Sequence, residues 1–200
     1  FFSFIIALML QSVRRTRAFF RSVFFIPSVA GVISIGIIFG FMYEPFNGLL
    51  NLVLTKLHLP ELFWLRSEST ALMSIAIMTI WRTLGYNIVI LLASLLSIPH
   101  HYYEAAEIDG VGLIKKHYYI TIPLIFPTLL FVFIYNTIQN MQVFSEIFVM
   151  TGGGPGHSTT TIGYRIYQNA FVFMSMGKAA ANAVVLLFIL IMVTLLQMKI

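Results

Sequence analysis

"HHYYEAAEIDGVG", from His100 to Gly112, is a polar connector between two long apolar stretches of the chain. It holds three of the chain's seven acidic residues, Glu104, Glu107 and Asp109. The alanines beside the first two carboxylates are strong helix formers, and the Asp-Gly pair that follows is typical of a turn. The pattern therefore predicts a short helix that carries carboxylates and ends at a turn.

The composition around this connector is that of a membrane protein. Hydrophobic residues make up 59% of the 200 residues, charged residues make up 10%, and the mean hydropathy is +0.92. A soluble domain of this composition would expose most of its apolar surface to water. We therefore expect an all-α fold, a polytopic transmembrane helical bundle. The net charge of +5 does not indicate nucleic-acid binding, because four arginines between Arg14 and Arg21 supply much of it.

On both sides of the connector, apolar stretches of spanning length alternate with polar segments. A spanning helix needs about 20 residues, but the opening run "FFSFIIALML" has only ten. We therefore expect an N-terminally truncated chain that begins inside a helix. We predict a single transmembrane domain over residues 1–200, with the end of a clipped helix at 1–10, spans near 22–43, 70–98, 122–150 and 178–198, and a connector at 99–121.

The basic residues on the short connectors predict the orientation of the chain. One side would hold seven, namely four arginines between Arg14 and Arg21, Lys115, Lys116 and Lys199. The other side would hold four: Lys56, Arg66, Arg165 and Lys178. Because Lys and Arg are enriched in cytoplasmic loops, we expect the connector and the C-terminus to be cytoplasmic.

Polar residues recur at helical spacing within two predicted spans. One set is Thr79, Arg82, Thr83 and Tyr86, and the other is Asn136, Gln139, Asn140 and Val143. Positions i, i+3, i+4 and i+7 share one face of a helix, and polar side chains in lipid usually face a bundle interior or a water-filled path. The faces are therefore candidates for the path of a polyhydroxylated solute. The alternative is that Asn and Gln only tie helices together, and Arg82 has the further alternatives of pairing with Glu146 or reaching the interface.

Catalytic and metal sites find little support in the sequence. "GGGPGHST", from Gly152 to Thr159, lacks the lysine of a phosphate-binding loop. His157 and Ser158 have no carboxylate nearby in sequence, and His100 and His101 are adjacent rather than four residues apart. With no cysteine in the chain, disulfides and Cys-based metal sites are excluded. We predict no catalytic residue, no metal and no cofactor, so the chain is expected not to be an enzyme.

The connector itself allows two interpretations from its residues alone. It is either a solvated amphipathic loop or a helix that docks in a protein groove, where Glu104 would meet an arginine.

The stretch "EAAEIDGVGLIKKHYYITIP" resembles the EAA motif of binding-protein-dependent ABC importer permeases, E-A-A-x3-G-x9-I-x-L-P. The motif is matched at Glu104, Ala105, Ala106, Gly110, Ile120 and Pro123, with Ile122 where Leu is usual. "RSVFFIPS", "WRTLGYNIVILLASLLSIP", "VFSEIFVMTGGGPGHST" and "IYQNAF" are similar to the carbohydrate branch of that family, which contains maltose-type and glycerol-3-phosphate-type permeases.

This resemblance implies a permease core of the type I ABC importer kind, in a bacterial or archaeal inner membrane. Its implied partners are a second permease, two cytoplasmic ATPase subunits that bind the ATP, an extracytoplasmic solute-binding protein, a carbohydrate and membrane lipid, with no nucleic acid. The connector becomes a coupling loop, with ATPase contacts at Glu104, Ala105, Ala106, Asp109 and Gly110. It also implies substrate contacts on the spans either side of that loop.

Two other function classes remain open beside the importer permease. A secondary transporter of a small polar solute would need buried ionisable residues to couple ions, and the spans offer only Arg82 and Glu146. A binding or scaffold membrane protein would not need the coupling loop.

Overall fold

The computed structural model describes residues 1–13 and 15–199, so Arg14 of the predicted arginine-rich loop lies outside the described residues. The described part is helical and contains no strand, which confirms the predicted all-α class. The helices are α1 (Phe2–Ser12), α2 (Arg17–Val29), α3 (Val32–Met42), α4 (Leu49–Lys56), α5 (Ala71–Leu96), α6 (His101–Ile108), α7 (Leu113–Lys116), α8 (Ile122–Met141), α9 (Ser145–Met150), α10 (Ile162–Tyr167) and α11 (Met176–Gln197).

Three segments of the described chain are long and apolar enough to cross a membrane: Ala71–Leu96, Leu113–Met141 and Met176–Gln197. Helices α2 and α3 would add a fourth span if the two together form one broken crossing. Helices α5 and α11 lie where the spans 70–98 and 178–198 were predicted. The chain is therefore a multi-pass membrane protein.

The predicted span 22–43 is not one continuous helix. It is interrupted at Ala30 and Gly31, and Gly31 has an extended backbone with φ −59° and ψ 129°. Glycine is a weak helix former. Helix α2 also contains Pro27, which has no N–H to donate. The apolar pattern of residues 22–43 is continuous, so it did not indicate the helix break that glycine and proline promote.

The predicted span 122–150 is wrong at both ends. The helix starts earlier, since α7 continues through a π-helical turn at His117–Thr121 into α8, and it stops at Met141. Residues 142–144 form a break before α9. The Val143 carbonyl there accepts the Thr161 hydroxyl at 2.8 Å, so a loop later in the chain satisfies a backbone group that the interrupted helix leaves free.

The described chain forms two compact units. Unit 1 comprises Phe1–Val29 and Arg82–Asn136, and its core joins α1, α5 and α8. The buried core residues are Ala7, Leu10, Ile88, Leu91, Leu92, Leu95 and Ile125, with Phe24 of α2 packed against them. This core supports the second half of α5 and the root of α8, between which α6 and α7 lie in sequence.

Unit 2 comprises residues 30–81 and 137–199 of the described chain. Its core is centred on Ile75, Ile147 and Tyr164. Gly36 of α3 lies against α9, where an added Cβ would be 3.2 Å from Cγ1 of Val149. At the end of α11, the buried Gln197 donates its amide N–H to the Thr137 hydroxyl at 2.8 Å.

Candidate functional site: a helical connector and two polar helix faces

The connector forms the predicted helix and ends in the predicted turn. Helix α6 stops at Asp109, and Gly110 adopts a positive φ of 69°. The Gly110 N–H donates to the Glu107 carbonyl at 3.0 Å, and the Val111 N–H donates to the Ala106 carbonyl at 2.9 Å. This pair of bonds is a Schellman motif, which glycine closes without the steric penalty of a side chain.

One face of α6 is anchored to the base of α8. The Tyr103 hydroxyl lies 2.9 Å from Oγ1 of Thr121, and the same oxygen lies 3.1 Å from Nδ1 of His117. Thr121 is completely buried, and Ala106, one turn beyond Tyr103, is buried as well. Positions 103 and 106 share a helix face. Helix α6 is therefore held through its own side chains to the end of a long apolar helix.

The rest of the α6 surface is exposed and carries the acids. Nδ1 of His100 lies 2.9 Å from Oε1 of Glu104 on the surface, and Lys116 donates to Glu107 at 2.7 Å. The hydrogen bond and charge of Lys116 hold the pKa of the Glu107 carboxyl below its ordinary value. Asp109 is exposed and contributes its backbone to the helix end. Each of the three acids thus has a different environment.

Sequence reasoning missed the apolar component of this surface. Ile108 is 87% exposed, Leu113 is 71% exposed and Ile114 is 84% exposed. Ala105 is exposed beside them. Large aliphatic side chains clustered in water next to carboxylates are characteristic of a protein contact surface. The signal was present in "EIDGVGLI", where aliphatic residues alternate with polar ones in a segment already predicted to lie outside the membrane.

The polar residues of α5 lie on an unbroken helix, as their spacing requires. Thr79 donates to the Ile75 carbonyl at 2.9 Å, one turn back. Further along, the Ser28 hydroxyl of α2 is inserted between two backbone groups, since it donates to the Arg82 carbonyl at 2.7 Å and accepts the Tyr86 N–H at 3.1 Å. Gly85 permits this approach, because an added Cβ would collide with the Phe24 carbonyl. Ser28 had not been predicted.

Helices α5 and α8 meet at a pair of side-chain amides in unit 1. Asn87 donates to Oδ1 of Asn136 at 3.1 Å, and Asn136 donates back to Oδ1 of Asn87 at 3.0 Å. One residue away, the rings of Tyr86 and Tyr135 lie 5.3 Å apart. Asn136 therefore ties two helices together, the alternative that the sequence left open, and its partner Asn87 is buried. Asn87 was not predicted, although it lies four residues after Thr83 and so continues the same helical spacing.

The rest of the predicted α8 face divides into exposed and packed residues. Gln139 and Asn140 are exposed in the last turn of α8. Val143 lies beyond the end of the helix and packs against the core of unit 2, so the helical spacing that grouped it with Asn136 does not apply. Among the described residues, no three His, Asp or Glu side chains are grouped to hold a metal ion.

Comparisons with known proteins agree on one family. The model of the family described as binding-protein-dependent transport system inner membrane component matches residues 1–199. The chain is 38% identical over 190 residues to the probable ABC transporter permease protein YurN of Bacillus subtilis, covering 94% of this chain and 65% of that protein. It is 37% identical over 165 residues to the sulfoquinovosyl glycerol transport system permease protein SmoG of Agrobacterium fabrum, covering 82% of this chain and 54% of that protein.

A third relative and a solved structure extend the comparison. The arabinooligosaccharides transport system permease protein AraP of Bacillus subtilis is 34% identical over 186 residues, covering 92% of this chain and 59% of that protein. The chain thus spans 54% to 65% of the length of these relatives. The fold is similar to a chain of a bacterial alginate ABC transporter crystallised with an alginate pentasaccharide-bound periplasmic protein, with a TM-score of 0.87, 20% identity, and coverage of 98% of this chain and 69% of that chain. Because the family model covers nearly all of it, the chain belongs to the inner membrane components of binding-protein-dependent transport systems.

Proposed function

We propose that this chain is a membrane-spanning permease subunit of an ATP-driven, binding-protein-dependent ABC importer. It forms the translocation path with a second permease, most simply a related chain in a heterodimer. Two ATPase subunits dock on the coupling loop, and a solute-binding protein delivers the substrate on the other side. The coupling loop and the C-terminus face the cytoplasm, in keeping with the excess of Lys and Arg on that side.

The observation that carries this proposal is the two-sided construction of α6. Its inner face is bound to the root of α8 through Tyr103 and Thr121, while its outer face presents Glu104, Ala105 and Ile108 to solvent. A partner subunit bound to the outer face of α6 can therefore move α8 through the contact between Tyr103 and Thr121. Glu104 is the candidate for a charge-assisted contact with the ATPase subunit. Gly110 ends α6, which keeps the helix short enough to fit a cleft in that subunit. Asp109 contributes to the turn at the end of the helix.

The mechanism that follows is alternating access, with no covalent chemistry on this chain. ATP binding closes the two ATPase subunits, α6 moves with the cleft in which it is seated, and the helices rearrange so that the path opens outward. Hydrolysis resets the arrangement. Nucleotide is bound by the ATPase subunits, so the permease itself needs no cofactor.

The substrate class is a sugar or a related polyol or sugar phosphate. The names of two of the relatives support this class, since they refer to sulfoquinovosyl glycerol and arabinooligosaccharides transport. Thr79, Arg82, Thr83, Tyr86, Gln139 and Asn140 offer hydroxyl, guanidinium and amide groups suited to hydroxyl-rich solutes. The amide of Asn136 is hydrogen-bonded to Asn87, and Val143 has only an aliphatic side chain. These two residues are therefore weaker candidates for contact with the solute.

The decisive experiment is Glu104→Lys in the complete transporter, reconstituted with its partner subunits. We expect loss of substrate-stimulated ATP hydrolysis and weaker co-purification of the ATPase subunits, because a lysine would face the cation that the carboxylate meets. Glu61→Lys is the matched control, since Glu61 is an exposed acid on a different connector. Unaltered transport by Glu104→Lys would contradict the coupling role.

The transport path has a separate test. Thr83→Leu or Asn140→Leu should lower substrate uptake while the complex still assembles, because a branched apolar side chain removes a hydrogen-bonding group from the path. Normal uptake by both variants would return these residues to a structural role. Proton- or sodium-driven uptake by this chain without an ATPase would instead favour a secondary transporter.

A further inference from the structure

A cavity of about 770 Å³ lies in unit 1 beside the coupling loop. It opens where α1 ends, where α5 ends and where α6 and α7 begin the connector. Part of its wall is apolar and comes from α1, from α5 and the residues after it, and from α7: Leu8, Met9, Leu95, Leu96, Ile98 and Leu113. The rest of its lining is polar and carries charged groups, so the cavity has an apolar part and an ionic part.

Two fixed cations and one carboxylate line the ionic part, namely Arg17, Lys116 and Glu107. The Lys116 side chain is only 12% exposed, and within the described chain its one hydrogen bond goes to Glu107, which is itself 67% exposed. An ammonium has three N–H donors. A largely buried lysine with two donors to spare, beside a partner that solvent also reaches, is suited to hold a second anion.

Arg17 has donors available in the same cavity. Its Nε donates to the Leu10 carbonyl at 3.0 Å, and its Nη2 donates to the Gln11 carbonyl, so the guanidinium caps the end of α1. A guanidinium has five N–H donors, which leaves others for a ligand. The rest of the polar lining comes from the Gln11 amide, the hydroxyls of Ser12 and Tyr103 and the imidazoles of His100 and His117. The fixed charges leave one net positive charge facing the cavity.

We propose that this cavity binds an anionic phospholipid, with its phosphate at Lys116 and Arg17 and the start of its acyl chains against the aliphatic wall. The cavity lies at the end of α5, a helix long and apolar enough to cross the membrane, and this is the depth at which lipid headgroups lie. Charge complementarity selects an anionic head, and the six aliphatic side chains select an amphiphile over a free anion. The site is separate from the exposed face of α6 assigned to the ATPase.

The experiment uses the complete transporter in nanodiscs of phosphatidylcholine with a minor fraction of phosphatidylglycerol, followed by native mass spectrometry of the released complex. We expect the wild type to retain phosphatidylglycerol in preference to phosphatidylcholine. Lys116→Gln should lower that retention about tenfold, the size expected for one charge-assisted hydrogen bond. Lys115→Gln is the matched control, because Lys115 is the adjacent lysine, is exposed and does not line the cavity.

Two further variants separate binding from folding. Glu107→Gln removes the competing carboxylate and should raise phosphatidylglycerol retention, whereas a purely structural role of the Lys116–Glu107 pair predicts a loss in both variants. Lys116→Arg keeps the charge and should retain the lipid. Equal losses in Lys115→Gln and Lys116→Gln would mean diffuse surface attraction and would overturn the proposal.

Other occupants give different outcomes. The chain has no cysteine, so Ser12→Cys places the chain's one thiol in the cavity lining. We expect phosphatidylglycerol, with or without the ATPase subunits, to slow its labelling by a water-soluble maleimide. Protection that needs the ATPase subunits and not the lipid would assign the cavity to a protein contact. Protection by inorganic phosphate alone would reduce it to a simple anion site, and either result would overturn the proposal.

Discussion

The two connectors that precede and follow α5 in the sequence are built in opposite ways. The first connector, residues 44–70, satisfies its own polar groups. Its buried Asn51 donates to the carbonyls of Pro45 and Leu62 and accepts from Nε1 of Trp64 and the N–H of Leu62, at 2.8 to 3.2 Å. Arg66 donates to Glu44 at 2.9 Å on the surface of the same segment.

The second connector, residues 97–112, instead places Glu104 and Glu107 on an exposed surface, where they pair with His100 and Lys116. Glu104 and Glu107 face solvent, and Ile108 is almost fully exposed between them and the turn. Burying polar groups costs free energy unless they are hydrogen-bonded, and leaving aliphatic groups in water costs free energy unless a partner covers them. The first connector therefore holds its buried polar groups in an internal hydrogen-bond network, whereas the second presents its acids and Ile108 together on a surface suited to another subunit.

The largest effect on stability is expected for an alanine in place of Gly48 in the first connector. An added Cβ there would collide with the Glu44 carbonyl and lie 2.6 Å from the Met42 carbonyl, and neither backbone group can move away cheaply. Gly48→Ala should lower the free energy of unfolding by about 3 kcal/mol. Thermal unfolding of the purified transporter in detergent measures this.

Gly112→Ala is the matched substitution in the second connector. No heavy atom lies within 4 Å of its added Cβ, and the backbone has an ordinary extended conformation. Its free energy of unfolding should change by less than about 0.5 kcal/mol. Equal destabilisation by the two alanines would remove the contrast between the connectors.

Asn51→Ala should have the next largest effect. The substitution leaves the Trp64 and Leu62 N–H groups without their acceptor inside the first connector, and we expect a loss of about 2 to 3 kcal/mol in the free energy of unfolding. Asn47→Ala is the control, because Asn47 lies in the same segment and is exposed. A loss in transport without any loss in stability would instead give Asn51 a direct role in function.

The sequence predicted the parts of this fold that depend on composition and local propensity. Apolar length located α5 and α11, alanines and a Gly turn located α6, and motif spacing identified the family. Each of these features depends on residues that lie close together in the sequence. The helix end at Met141 depends on a residue farther along the chain as well, because the Thr161 hydroxyl binds the Val143 carbonyl that the break leaves free.

The candidate site was predictable to the same extent. Glu104 and Gly110 follow from the motif, but the anchoring of Tyr103 to Thr121 joins residues 18 positions apart. Likewise the Asn87–Asn136 pair spans 49 positions. A helical-face pattern can show on which side of the helix Asn136 lies. It cannot show that the amide of Asn87, on another helix, lies within hydrogen-bonding distance.

A smaller effect is expected at the turn that ends α6. Gly110 has a φ of 69°, where a Cβ costs about 1 kcal/mol. Gly110→Ala should therefore lower the free energy of unfolding by about that amount, and Gly110→Asn by less, because Asn tolerates this conformation better. Thermal unfolding of both variants tests the order. If alanine and asparagine proved equally harmless, the turn would not be constraining the end of the helix.

The smallest effect on stability is expected for the Lys116–Glu107 ion pair of the second connector. Its dependence on pH distinguishes it from the other contributions. Lys116 lowers the pKa of Glu107 below its ordinary value of 4.5, so the folded state favours the ionised carboxylate. A lowered folded pKa gives a stabilising contribution that is fully present above the unfolded pKa and is lost as the pH falls through the folded one.

The difference in unfolding temperature between the wild type and Glu107→Gln should accordingly be constant above pH 4.5 and shrink as the solution is acidified further. Both carboxyl and carboxamide are then uncharged, so Lys116 no longer distinguishes them. The effect should be small, because the carboxylate is 67% exposed and solvent screens its charge. A difference that grows on acidification would mean that Glu107 is held in its protonated form, which would contradict the pairing with Lys116.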